Sequence, residues 1–273
     1  MVNKRILSVQ DVSCVGQCSL SVSLPILSAM GYECSILPTA LLSTHTAFSH
    51  TSFFSLEDTL PKVLAAWQAE DISFDGICTG YIGSVPSVRL LKTVFTSFLA
   101  EDAPIIVDPV MGDNGSLYRH FHDHYVQAVR ELLPFSHVIL PNLTEACFLT
   151  GTRYEERCDG AFLKELHEGL RRAGAKAAVI TGLPISSCEI GISVDVGDGH
   201  GEIYTTKRIP RASHGAGDVF ASCFTGYSLK GFSPLEAACR AADFTCLALE
   251  NTADEHWYGL SFEPLLPRLF EKD

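Results

Sequence analysis

Short apolar runs bounded by turn residues alternate along this chain with longer stretches in which apolar positions recur at helical spacing. Runs of the first kind fit strands buried on both faces, and stretches of the second kind fit the helices that cover them. Residues 5–9, 33–37, 76–79, 104–107, 137–140 and 177–181 are therefore predicted strands. Between them, helices are predicted over 19–30, 56–69, 84–99, 123–133, 143–150 and 161–173, the first closed by Gly31 and kinked at Pro25. Strand-helix alternation of this length implies an α/β fold with a mainly parallel sheet, helices on both faces and right-handed crossovers. Ligands in that architecture bind where the strands end at their carboxyl side. After residue 181 the pattern changes to an antiparallel pair, 189–194 and 201–207, joined through Gly197, Asp198 and Gly199, and helices over 216–229 and 234–249 close the chain. No linker, repeat or low-complexity segment divides it, so residues 1–273 are expected to form one domain.

Composition narrows the partners. The formal net charge of -12 leaves no cluster of Lys and Arg to displace counterions, which argues against nucleic acid and anionic membrane surfaces. No run of apolar residues is long enough to span a bilayer. Ten cysteines follow an amino terminus without a signal-peptide pattern, so they are expected as reduced thiols in a cytoplasmic protein. Cys14 and Cys18 lack a second pair at zinc-ligand spacing, and His120, His122 and His124 fit a solvated loop entering a helix at Asp123.

The richest segment for chemistry is Ser213-His214-Gly215-Ala216-Gly217-Asp218, which joins a glycine turn to a helix start. Backbone N–H groups of Gly215, Ala216 and Gly217 would be unpaired there, and the helix dipole would favour a bound phosphate. A carboxylate facing that phosphate is unfavourable at rest, and a role for Asp218 as general base toward a substrate hydroxyl resolves the conflict. The other predicted strands end in Asp11, in Thr79-Gly80-Tyr81, in the stretch from Asp108 to Asp113, in Asn142 and Glu145, and in Thr181. Asp108, Asp113, Asn142 and Glu145 offer the hard oxygen ligands that suit a nucleotide-bound Mg2+. Each also has a plain structural reading, as a turn residue or a first-turn acid; their shared position at successive strand ends favours the functional one.

In order and spacing, Asp108-Pro-Val-Met-Gly-Asp113, Pro141-Asn-Leu-Thr-Glu145 and Gly215-Ala-Gly-Asp218 resemble the vitamin B6 kinase branch of the ribokinase-like family over nearly the whole chain. Ser43-Thr44-His45-Thr46 resembles the segment that closes over the pyridine ring in that family, and Tyr81 a pocket tyrosine. The resemblance implies ATP-dependent phosphorylation of the 5′-hydroxymethyl group of pyridoxal, pyridoxine or pyridoxamine. It assigns Asp218 as base and Gly215, Ala216 and Gly217 as anion hole. Asp108, Asn142 and Glu145 would hold Mg2+ directly or through water, with Asp113 and Thr181 near the ATP phosphates and Asp11, His45, Thr46 and Tyr81 around the ring. A monovalent cation and a homodimer are further family expectations. Ala216 stands where the family commonly has threonine, which is expected to alter rate or nucleotide affinity. Residues 112–120 should form a flexible lid that lacks the cysteine found in a related bacterial branch.

Three alternatives follow from the same residues. A hydroxymethylpyrimidine kinase of thiamine synthesis differs mainly in the ring pocket, and the Ser-Thr-His-Thr segment with Tyr81 favours B6. A sugar kinase of the wider family would need extra lid strands, for which residues 10–56 look too short. A non-catalytic binder on the same fold is disfavoured by the intact acidic set. Neither a dinucleotide fingerprint after the first strand nor a P-loop occurs.

Overall fold

The computed structural model describes residues 4–197, 199, 201–211 and 214–270; Ser213 of the glycine segment and Asp198 of the predicted 197–199 turn lie outside them. Six strands form a parallel set: β1 (Arg5–Ser13), β2 (Glu33–Leu42), β4 (Gly76–Thr79), β5 (Ile105–Val107), β8 (Val138–Ile139) and β9 (Ala178–Pro184). Antiparallel strands extend this set at both edges, β3 (Phe53–Ser55) against β2, and β10 (Glu189–Asp195) with β11 (Glu202–Lys207) beyond β9. The sheet order is β11-β10-β9-β8-β5-β4-β1-β2-β3. A separate two-stranded hairpin, β6 (Gly112–Asp113) with β7 (Ser116–Leu117), stands over the strand ends.

Helices cover both faces because the strands are apolar on both. On one side α2 (Leu60–Ala69), α3 (Val85–Ser97), α4 (Asp123–Arg130), α5 (Leu143–Thr150) and α6 (Gly160–Arg172) bury Leu91, Val129, Leu149, Leu166 and Leu170 against Leu7, Ile77 and Ile180. On the other, α1 (Leu20–Ala29), α7 (Ala216–Leu229) and α8 (Pro234–Asn251) bury Ile26, Phe224 and Ala241 against Ile6, Ile106 and Val179. Each fully buried large side chain contributes about 1.5–3 kcal/mol, so two continuous cores hold the strand ends in fixed relation.

The predicted strands and helices recur with shifted ends, and three features differ. Residues 53–55 form a short edge strand, β3, antiparallel to β2, which the apolar pattern does not predict. Its Phe53 and Phe54 are exposed, so no buried face marked it. The expected flexible lid at 112–120 begins as the β6-β7 hairpin, turned by Asn114 at φ 50° and Gly115 at φ 75°. Leu60 rather than Leu56 opens α2, Thr59 preceding it as the N-cap.

Candidate active site

The glycine turn sits at the amino end of α7. Gly215 adopts φ 81°, and a Cβ there would fall 2.0 Å from the Gln17 carbonyl oxygen, so only glycine allows the turn to lie against the 14–18 loop. The helical ladder begins when the Val219 N–H donates to Gly215 O at 2.9 Å. N–H groups of Ala216, Gly217 and Asp218 precede that ladder and present the positive end of the helix dipole. Gly217 is exposed, and the space where its Cβ would stand is open.

Asp218 is the third residue of α7 and half-buried. Burial lifts its carboxyl to about 7, the Ser19 N–H that it accepts opposes the shift, and the charge of Asp11 adds to it. Ser19 is held in an uncommon backbone conformation, φ 52° and ψ -130°. Its hydroxyl donates to Asp11 Oδ1 at 2.5 Å while the Ser13 hydroxyl donates to Asp11 Oδ2 at 3.1 Å, so one serine links both carboxylates. Strain of this kind costs about 1–3 kcal/mol and persists where surrounding bonds fix it. Cys18 lies in the field of Asp218 and Asp11; burial first, then those charges, push its thiol up to about 12, which makes it an inert wall.

The second wall is built by a helix cap. Asn142 caps α5, its Oδ1 accepting from Glu145 N at 2.9 Å while Glu145 Oε2 accepts from Asn142 N at 2.9 Å. Glu145 Oε1 also accepts from Met111 N at 2.9 Å, and Asn142 Nδ2 donates to Gly112 O at 2.8 Å. The capping box therefore clamps the Asp108–Gly112 segment. Burial pushes the Glu145 carboxyl up to about 7 despite backbone donors at Asn142, Met111 and Gly112. Asp108 is also raised well above the usual carboxylate range, by burial first and then by the charges of Glu145 and Asp218. Thr181 continues this wall, its N–H donating to Pro141 O at 2.9 Å. Asp113 is exposed and accepts from the backbone and side-chain amides of Asn114, at 2.8 and 3.1 Å.

Among the described residues no three His, Cys, Asp or Glu side chains converge as a metal cage. Asn142 and Glu145 engage backbone partners, whereas Asp108, raised by burial first and then by the charges of Glu145 and Asp218, is a buried carboxylate whose charge a divalent cation would offset. The residues fit a Mg2+ that keeps waters and phosphate oxygens, Asp108 being the carboxylate best able to hold it.

His45, Tyr81 and Asp11 line the other side. Burial first and then the Asp11 charge raise the Tyr81 phenol to about 12, so Asp11 and Tyr81 lie within reach of one another. His45 Nε2 lies 3.0 Å from the Tyr258 carbonyl and its Nδ1 accepts from Ala47 N at 3.2 Å, so the ring is the neutral Nε2–H tautomer. Burial lowers its pKa accordingly. With both nitrogens engaged, His45 offers a ring face. Thr46 is exposed beside it. Lys207 at the end of β11 pairs with Glu250 of α8 at 2.8 Å, so these two segments adjoin one another.

Chain-wide comparison decides the family. The phosphomethylpyrimidine kinase family profile matches residues 24–259. The chain belongs to that family. A Bacteroides thetaiotaomicron protein described as a phosphomethylpyrimidine kinase, solved with pyridoxal, is 34% identical with a TM-score of 0.93, over 98% of this chain and 96% of its own. Pyridoxal kinase from Lactobacillus plantarum is 34% identical with a TM-score of 0.89, over 97% and 96%. Arabidopsis thaliana pyridoxal kinase is 28% identical over 95% of this chain and 85% of its own. This chain is accordingly a kinase of the ribokinase-like fold, and its acceptor is a hydroxyl group.

Several residues at the site carry no motif. Ser19 matters through its backbone and Cys18 through its position. Tyr118 follows β7 and is raised by burial first, then by Glu145, Asp113, Asp108 and Asp218, so its phenol stands amid the acids. It is the first aromatic after the glycine-rich hairpin, the one signal that could have marked it.

Proposed function

We propose that this kinase transfers the γ-phosphoryl group of ATP to the 5′-hydroxymethyl group of a B6 vitamer. The observation that carries the reading is Asp218, half-buried, lifted to about 7 and standing three residues from Gly215 at the start of α7, where a base and an anion hole meet. Asp218 takes the hydroxyl proton as the acceptor oxygen attacks, and the N–H groups of the α7 amino terminus receive the transferring charge. Asp11, His45 and Tyr81 hold the ring so that its hydroxymethyl group faces Asp218, and Thr46 borders its entrance. Asp108, supported by the Asn142–Glu145 capping box, meets the Mg2+ that accompanies ATP, with Asp113 and Thr181 beside the phosphates; bound Mg2+ neutralises phosphate charge. Tyr118 closes over that side from the hairpin. We assign no site to the monovalent cation expected from the family.

The chain is read as one kinase domain acting in the cytoplasm, in keeping with ten cysteines that are all free thiols. No helix among the described residues is long and apolar enough to cross a membrane. The exposed Phe53 and Phe54 of edge strand β3, beside Leu41 of β2, are the apolar surface that suits a second copy of the chain in a homodimer. The test of function is ADP release with pyridoxal, pyridoxamine, pyridoxine, hydroxymethylpyrimidine and ribose as acceptors. Turnover with at least one B6 vitamer is expected. Turnover confined to hydroxymethylpyrimidine, which the family name admits, would replace this reading with the thiamine-pathway one.

A further inference from the structure

A tryptophan far along the chain from every motif stands beside His45. Trp257 lies 4.7 Å from Phe48 and 6.3 Å from His45, ring to ring, and the His45 ring lies 5.0 Å from that of His214, the residue before Gly215. Trp257 nevertheless keeps 48% of its surface exposed. An exposed indole on a loose tail would mean little, but this one is braced. Asn251 Nδ2 donates to Ser261 O and Ser261 N to Thr252 Oγ1, each at 2.8 Å, closing the segment into a loop. Arg211 donates to the Thr252 and Ala253 carbonyls, and His256 pairs with the Gln17 side chain. Tyr258 O takes both the Gln17 N–H at 3.1 Å and the His45 Nε2–H at 3.0 Å.

Glycines keep this contact tight. A Cβ on Gly16 would fall 2.1 Å from His45 Cδ2, and one on Gly259 would fall 2.4 Å from Gln17 Cβ. The loop, His45 and the 14–18 segment thus form one rigid unit, and Gln17 O of that unit abuts Gly215. His45 is buried and Phe48 and Tyr258 are half-buried in this cluster, whereas Trp257 stays exposed.

We infer that Trp257 is a substrate-contact and specificity residue, its open indole face stacking on the flat heteroaromatic ring of the acceptor and selecting it over a sugar alcohol. The inference rests on the B6-kinase reading. Its test uses the full-length enzyme and its two tryptophans. Trp67 packs on α2 against Phe74 and Phe98, at 5.2 and 6.0 Å, in the opposite core, so Trp67→Phe leaves Trp257 as the sole reporter. Pyridoxine added without nucleotide should quench the Trp257 emission saturably and leave Trp67 emission unchanged in Trp257→Phe. In steady state, Trp257→Ala should raise the vitamer KM about tenfold, with ATP KM and kcat near wild type, and Trp257→Phe should restore most of the loss. Should Trp257→Ala fail to fold, the Trp67→Phe titration and the Trp257→Phe kinetics decide alone. Unchanged Trp257 emission at saturating vitamer, in an enzyme that turns that vitamer over, overturns the inference and spares the B6 reading. Absence of turnover with every vitamer overturns both.

Discussion

Replacing Asp218 by asparagine should make the ligand-free protein more stable while disabling it. The sign follows from ionisation in the two states. An aspartate with an ordinary value of 3.8 unfolded and about 7 folded keeps its proton in the folded state over a range where the unfolded chain has lost it. Its ionisation penalty is small near pH 4, grows between pH 4 and 7 and is constant above. Full conversion at about 1.4 kcal/mol per pH unit gives roughly 4 kcal/mol, and partial exposure of the side chain brings this to about 2 kcal/mol. Asparagine keeps an acceptor for the Ser19 N–H and carries no charge toward Asp11 and Asp108. For a chain of this size about 2 kcal/mol is about 4 °C in Tm. Asp218→Asn should therefore melt about 4 °C above wild type at pH 8, and about half that at pH 5.5, in thermal scans with chelator present. The same variant should lose roughly 10² to 10⁴ in kcat, because the base is gone. A stabilisation absent at pH 8, or one that shrinks as pH rises, refutes the assignment of a raised Asp218.

Four further outcomes follow from the same geometry. The acceptor kcat/KM should fall about tenfold per pH unit below about 7, where Asp218 takes up its proton, and flatten in Asp218→Asn, as read from a pH-rate profile. Gly215→Ala should cut kcat more than about a hundredfold and lower Tm, since a left-handed alanine costs about 1–2 kcal/mol and its Cβ meets Gln17 O. Glu145→Ala should destabilise by about 2–3 kcal/mol and raise the KM for MgATP about tenfold, because buried N–H groups of Met111 and Asn142 lose their acceptor. Ala216→Thr, which adds a hydroxyl at the α7 amino terminus, should change ATP KM or kcat by about two- to tenfold with Tm nearly unchanged, in parallel kinetic and melting assays.

Legibility in the sequence tracked how locally each feature is encoded. Strands such as Gly76–Thr79 and Ile105–Val107 are buried on both faces and read as continuous apolar runs, so their order and the strand ends that carry Asp108 and Asn142 were visible from pattern alone. Glu145 was readable as an acid at a helix start, but its two roles, capping Asn142 and clamping Met111, depend on a contact across 34 residues that no local pattern states. Strand β3 escaped because its three residues are exposed and paired only at an edge.

The ring pocket shows the sharper limit. Asp11 and Tyr81 were readable because one lies near the end of β1 and the other just after β4, and topology brings strand ends together whatever lies between them. Ser19 acts through a backbone N–H and an unusual φ, properties that side-chain type does not announce. Trp257 reaches His45 across more than two hundred residues through a loop with no regular structure, so its place depends on the Arg211, Gln17 and Asn251 contacts that brace it. The proposed phosphoryl-transfer residues sit on or beside regular elements that a sequence encodes plainly. Acceptor choice can be remodelled without disturbing those elements, and on the reading proposed above it falls to loops held by glycine clearances and backbone carbonyls, where three-dimensional contact is the first place the information appears.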